Sequence, residues 1–97
     1  MNDHLITPTA GEILSEEFMK PLNISAYRLA IDIRVPVSRI QDILHGRRKI
    51  TANTSIRLAK YFGVSDAYFL NIQNDIDLRN ARMQLISELP LIPAAVV

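Results

Sequence analysis

Residues 34–50 read RVPVSRIQDILHGRRKI. Ile40, Ile43 and Leu44 recur at the spacing of one helical face, about 100° per residue. Pro36 stands at or near the first turn, where its missing N–H costs little. Gly46 is the residue expected just past the helix end, because it enters the left-handed region without a Cβ penalty. Arg47, Arg48 and Lys49 follow at once. The stretch predicts a short amphipathic helix, closed by a glycine and followed by three consecutive cations.

Just upstream, ISAYRLAIDI (residues 24–33) predicts another helix, with Ser25 as its N-cap and Leu29, Ala30 and Ile33 as its buried stripe. Only about three residues, around Arg34, Val35 and Pro36, join the two. A link so short forces a steep crossing, as in a helix-turn-helix. Close crossing needs a small side chain at the contact, and Ala30 supplies it. The spacing Ala30, Arg34, Ile40, Ile43 is that of the DNA-binding helix-turn-helix.

Three more helices complete an all-α reading, since no long alternating strand pattern occurs. The first covers residues 10–20, groups Ile13, Leu14 and Phe18, and stops at Pro21. The fourth starts at Thr51, whose hydroxyl is expected to cap an early N–H, and ends at Gly63. Its apolar members are Ile56, Leu58, Ala59 and Phe62, and its Arg57 and Lys60 read as a solvated face. The fifth is expected from Ser65, with Asp66 in its first turn, onward to about Leu85.

The third helix turns Ser38, Asp42 and His45 away from its apolar face, flanked by Arg39 and Gln41. A polar outer face with donors and acceptors is what major-groove readout requires. Arg39 suits guanine and Gln41 adenine. Ser38 is adaptable, Val37 suits a thymine methyl, and Asp42 suits cytosine or the orienting of an arginine. Arg47, Arg48 and Lys49 are placed to hold phosphates rather than to read bases. Thr51 and Asn53 at the head of helix four, and Ser25 and Tyr27 at the head of helix two, are further phosphate candidates.

Charge agrees. The chain carries a net +1 over 97 residues, but unevenly. Residues 25–60 hold eight cations (Arg28, Arg34, Arg39, Arg47, Arg48, Lys49, Arg57, Lys60) against Asp32 and Asp42. The flanking segments are both net acidic. A basic middle of this kind points to one polyanion-facing surface. At 48% hydrophobic and 22% charged the chain reads as globular. It has no cysteine, hence no disulfide framework and no thiolate metal site. Its opening residues lack a basic and then apolar leader pattern, and the apolar LPLIPAAVV (residues 89–97) is too short for a bilayer. These features predict a cytoplasmic protein without a membrane segment. His4 and His45 are far apart in sequence, Asp75 and Asp77 form no metal-ligand set, and no Gly-rich phosphate loop occurs. No catalytic residue, metal, cofactor or small-molecule substrate is expected.

GEILSEEFMKPLNIS (residues 11–25), RIQDILHGRRKITANTSIRLAKYFGVS (39–65) and YFLNIQNDIDLRNAR (68–82) together resemble the HigA/VapI-type antitoxins of the Xre, lambda-repressor-like, helix-turn-helix family. The resemblance implies a five-helix lambda-repressor-like domain. It implies a homodimer that binds double-stranded operator DNA and represses its own operon. It also implies a partner toxin, a RelE/HigB-like ribonuclease that the antitoxin neutralises. A stand-alone Xre-type repressor without a toxin is the alternative. Pro36 is common in this branch. Arg34 stands where many helix-turn-helix proteins carry glycine, which fits a turn that makes no strict demand for positive φ. Tyr68, Phe69, Leu70 and Ile72 are too many hydrophobes for one core stripe, so this part of helix five, with the apolar tail, is the expected dimer surface. The expected organisation is an N-terminal arm over residues 1–9, the domain over 10–88 and a loosely ordered tail over 89–97.

Overall fold

A computed structural model describes residues 7–96; of the expected N-terminal arm, residues 1–6 lie outside the described part, as does His4. The described residues hold helices α1 (Ala10–Ile13), α2 (Ala26–Ile33), α3 (Val37–Leu44), α4 (Ala52–Phe62) and α5 (Tyr68–Gln84), with no strand among them. Thr9 caps α1 reciprocally with Glu12: Glu12 N–H donates to Thr9 Oγ1 (3.1 Å) and Thr9 N–H to Glu12 Oε1 (2.8 Å).

The first helix does not stay α-helical to residue 20. From Leu14 to Met19 it widens into a π-helix, which closes with Lys20 N–H donating to Ser15 O at 2.9 Å. The buried side chains of this stretch, Leu14 and Met19, are five residues apart, the period of that hydrogen bond. Phe18 is half-buried beside them, against Phe62 and Phe69 at ring distances of 5.2 and 4.9 Å.

Ser25 caps α2, its Oγ accepting from Arg28 N–H at 3.0 Å. The turn that follows corrects one expectation. Arg34 sits at φ 65°, ψ 49°, the left-handed conformation that favours glycine. Such a conformation costs a side-chain-bearing residue roughly 1–2 kcal/mol. Arg57 reaches over from α4 and offsets it, with Nη1 donating to Ile33 O (2.9 Å) and Nε to Asn53 Oδ1 (2.9 Å). Arg57 is therefore the cap of α2's carbonyl end and not a solvated residue. Pro36 precedes the first residue of α3, and Gly46 takes φ +75° after its end, as the sequence requires.

Thr51 stands at the N-cap of α4 but its side chain makes no capping bond, against expectation. Ile56 is exposed, while Thr54 and Ser55 are buried in its place. The helix ends at Gly63, φ +73°. Helix α5 begins at Tyr68, later than expected, because residues 65–67 form a separate turn closed by Tyr68 N–H to Ser65 O. The fully buried Ser55 joins the two: its Oγ donates to Asp66 O (2.6 Å) and accepts from Leu70 N–H (3.0 Å), so an early amide of α5 is capped from α4. Ser55→Ala leaves both groups without a partner and is expected to lower stability by about 1–3 kcal/mol, measured by urea unfolding. A cost near zero would mean that neither bond matters.

The core gathers Leu14, Leu29, Ile40, Ile43, Ile50, Leu58, Phe69 and Ile76. Helix α1 presses on the end of α3 so closely that a Cβ on Gly11 would lie 2.0 Å from Ile43 O. No side chain after Ile76 is buried among the described residues, although α5 continues to Gln84. Of the segment expected to be loosely ordered, Leu89–Leu91 form a short 3₁₀ turn, residues 93–96 hold no regular element, and residue 97 lies outside the described part. No described helix is long and apolar enough to cross a membrane.

Candidate nucleic-acid interface

Helix α3 buries Ile40 and Ile43 and turns Ser38, Gln41 and His45 outward, with Val37 exposed at its start. His45 packs back onto its own helix, its Nδ1 2.7 Å from Gln41 O. Two candidate base readers are less free than their neighbours. Arg39 is half-buried on the flank of the helix, and its Nε is buried without a hydrogen-bond partner. Asp42 is half-buried and occupied: its Oδ1 accepts from Arg47 Nε (3.1 Å) and lies 3.0 Å from Arg47 Nη2 in an ion pair. Of the two roles considered for Asp42, the structure realises the orienting of an arginine.

The three cations after Gly46 sit in a loop whose first amides turn back on the helix. Arg47 N–H and Arg48 N–H both donate to Asp42 O, at 2.8 and 3.2 Å. The three side chains are exposed but not equivalent. Arg47 is tied to Asp42 and Lys49 to Asp77 of α5 at 3.3 Å. Arg48 makes no ion pair among the described residues.

Thr51 and Asn53 lie exposed at the start of α4. The Thr51 hydroxyl is uncommitted as a cap, so the first amides of α4 present their partial positive charge without a side-chain partner among the described residues. Asn53 instead serves Arg57. On the other side of the turn Ser25 is engaged by Arg28 N–H, and Tyr27 stands exposed beside it. Behind the turn, Tyr61 O–H donates to Asp32 Oδ2 at 2.7 Å, while Arg28 Nε approaches the same oxygen at 3.1 Å. The hydrogen bond to this carboxylate, then burial and its charge, raises the Tyr61 pKa above the ordinary phenol value. The pair ties α2 to α4 and so steadies the turn.

The expected dimer surface divides. Phe69 is only 1% exposed and belongs to the monomer's core, a correction that follows from its packing on Phe18, Phe62 and Tyr68. Leu70 and Ile72 are half-buried, and Ile72 packs on the same core. Tyr68 remains 39% exposed. The larger apolar surface lies further along, where Leu78, Ala81, Leu85 and Leu89 line one groove and Ile86, Leu91 and Ile92 are exposed nearby in sequence. Its signal was the spacing Leu78, Ala81, Leu85, which keeps one helical face past the point where the core ends.

Sequence reasoning also passed over Gln73. It is buried, accepts from Ile50 N–H at 3.0 Å and donates to Asp77 Oδ1 at 3.1 Å, so α5 holds the cationic loop at its far end. A polar residue in the core register Phe69, Gln73, Ile76 was the available clue.

Residues 16–69 match the family model described as helix-turn-helix. The chain is 43% identical over 83 residues to virulence-associated protein I of Dichelobacter nodosus, covering 86% of this chain and 77% of that protein. It is 32% identical over 74 residues to antitoxin HigA-1 of Vibrio cholerae, covering 76% and 70%. Among solved structures, Pseudomonas aeruginosa antitoxin HigA with the higBA promoter superposes with a TM-score of 0.83 at 29% identity, covering 93% of this chain and 98% of that one.

Proposed function

The chain belongs to the HigA/VapI-type antitoxins of the Xre helix-turn-helix family, and from that premise we propose that it binds operator DNA as a homodimer, represses its own operon and neutralises a RelE/HigB-like ribonuclease toxin. The observation that carries the DNA reading is one of geometry. The polar face of α3, Arg48 with no ion pair among the described residues, and the start of α4 without a Thr51 cap follow one another without interruption from residue 37 to residue 53. The solved relative bound to a promoter supports the same use of the fold.

In this reading α3 enters the major groove. Val37, Ser38 and Gln41 meet base edges, Arg39 enters from the flank, and Asp42 aims Arg47 at the backbone. Arg48, Thr51 and the first amides of α4, reinforced by Asn53, take phosphates on one side, and Ser25 and Tyr27 on the other. The apolar face of α5 beyond Leu78, with Tyr68 beside its start, pairs two copies. Two-fold symmetry then sets two half-sites about 34 Å apart, or a multiple of that.

The test is a fluorescence anisotropy titration against a duplex from just upstream of the gene and a scrambled duplex, at several salt concentrations. Tight binding to the first alone is expected, with co-purification of the neighbouring gene's product as the check on the toxin. Equal, weak binding to both duplexes would overturn the repressor reading. Arg48→Ala is expected to weaken binding to every sequence and to flatten the log–log salt slope by about 1.8, since each copy of the dimer loses one phosphate contact worth about 0.9 on B-DNA. An unchanged slope would remove Arg48 from the phosphate path.

A further inference from the structure

Two signature stretches of the sequence, GRRKIT (residues 46–51) and NIQNDIDL (71–78), meet in the fold. Gln73 is the joint. Its Oε1 accepts from Ile50 N–H in the first stretch, and its Nε2 donates to Asp77 Oδ1 in the second. The other oxygen of Asp77, Oδ2, lies 3.3 Å from Lys49 Nζ. A buried amide therefore fixes one face of the carboxylate and leaves the other turned to a loop cation.

We propose that Asp77 is a positioning residue for DNA binding: it keeps Lys49 on α5, withholds that charge from the phosphates, and so sets the strength and salt dependence of binding. The proposal rests on the DNA-binding reading above. With Asp42 on Arg47 and Asp77 on Lys49, the loop presents three cations against two carboxylates. Approaching DNA then meets Arg48, which has no carboxylate partner among the described residues, and Arg47 as Asp42 aims it, while Lys49 is held back on α5. Gln73 makes the arrangement lasting. An ordinary exposed ion pair must immobilise two flexible side chains and gains little from doing so. Here the carboxylate is already held, and only Lys49 has to be ordered. A lysine already neutralised within the protein displaces no counterion from DNA, so it adds nothing to the salt slope.

The experiment compares wild type, Asp77→Asn, Lys49→Gln and the double variant by anisotropy over a salt series, on the upstream and the scrambled duplex. Asparagine keeps the acceptor for Gln73 Nε2 and removes the charge. Asp77→Asn is expected to tighten binding several-fold on both duplexes at low salt and to steepen the slope by about 1.8, about 0.9 for the lysine released in each copy of the dimer. The double variant should return to the wild-type slope. Lys49→Gln leaves Asp77 bare toward the phosphates, so binding weakens, but the slope keeps its wild-type value. An unchanged slope in folded Asp77→Asn would overturn the proposal. So would a Lys49→Gln slope shallower by about 1.8, which would put Lys49 of each copy on a phosphate. That second arm decides alone if Asp77→Asn fails to fold. Wild-type protein without salt-dependent binding to either duplex would instead overturn the DNA-binding reading.

Discussion

Phe69→Ala is expected to destabilise the protein by about 3–5 kcal/mol, the range for removing a buried aromatic ring. Folded domains hold only about 5–15 kcal/mol in total, so one substitution would take a large share. Phe69 is inaccessible to solvent and touches three other rings, with centroids 4.9 Å away at Phe18, 5.2 Å at Tyr68 and 6.0 Å at Phe62. The Phe18 and Tyr68 contacts are edge-on, the arrangement that adds electrostatic attraction to area burial. Tyr68→Ala is the control: its ring is partly exposed, and about 1 kcal/mol is the larger part of what it can lose within a monomer. Urea unfolding at two protein concentrations separates core from interface. A Phe69→Ala penalty that depends on protein concentration would return the ring to the dimer surface and refute its place in the core.

Gly11→Ala is expected to cost about 3 kcal/mol, at the upper end of ordinary overpacking. The sign is the point. Inside most helices glycine is worse than alanine by about 1 kcal/mol, so the same change usually helps. Here the new methyl would meet Ile43 O at 2.0 Å, Ile43 C at 2.8 Å and Leu44 Cα at 2.9 Å. All three are backbone atoms, and no rotamer change can move them aside. Either α1 lifts from α3 or the end of α3 shifts, and the cationic loop begins there. Thermal unfolding followed by circular dichroism measures the cost, and the anisotropy assay shows whether the loop has moved. A variant as stable as wild type would mean that α1 and α3 do not approach so closely.

Local chemistry was legible and tertiary chemistry was not. Ser25, Pro36, Gly46 and Gly63 mark helix ends because each acts on backbone within a few residues of itself. Ala30, Ile40 and Ile43 mark the crossing of α2 and α3 for the same reason, since their spacing on two adjacent helices defines the contact. Arg34 was misread because its left-handed backbone is made tolerable by Arg57, 23 residues on, and nothing in the turn itself announces that help. The same holds for Ser55 with Leu70 and for Gln73 with Ile50, where one polar side chain in a core register serves a distant amide. Phe69 was drawn into the dimer surface by counting hydrophobes. Counting cannot tell which of the four is core, and it is Phe18, carried on the π-helical stretch, that packs edge-on against the Phe69 ring. At the candidate site, the outward residues of α3 followed from periodicity. The unequal standing of Arg47, Arg48 and Lys49 did not, because it depends on which carboxylates the fold delivers to them.

The burial pattern of α5 carries a consequence for how such chains diversify. The hydrophobic core is complete at Ile76, yet the helix carries on for two more turns in the same rigid rod. Whatever is attached beyond that residue inherits a fixed direction and distance from the reading head without taking part in folding. Substitutions, extensions or exchanges of the segment after Asp77, the last residue tied to the rest of the domain through Gln73 and Lys49, can therefore accumulate without compromising the domain. The choice of what the distal end engages can drift independently of the sequence that the third helix reads.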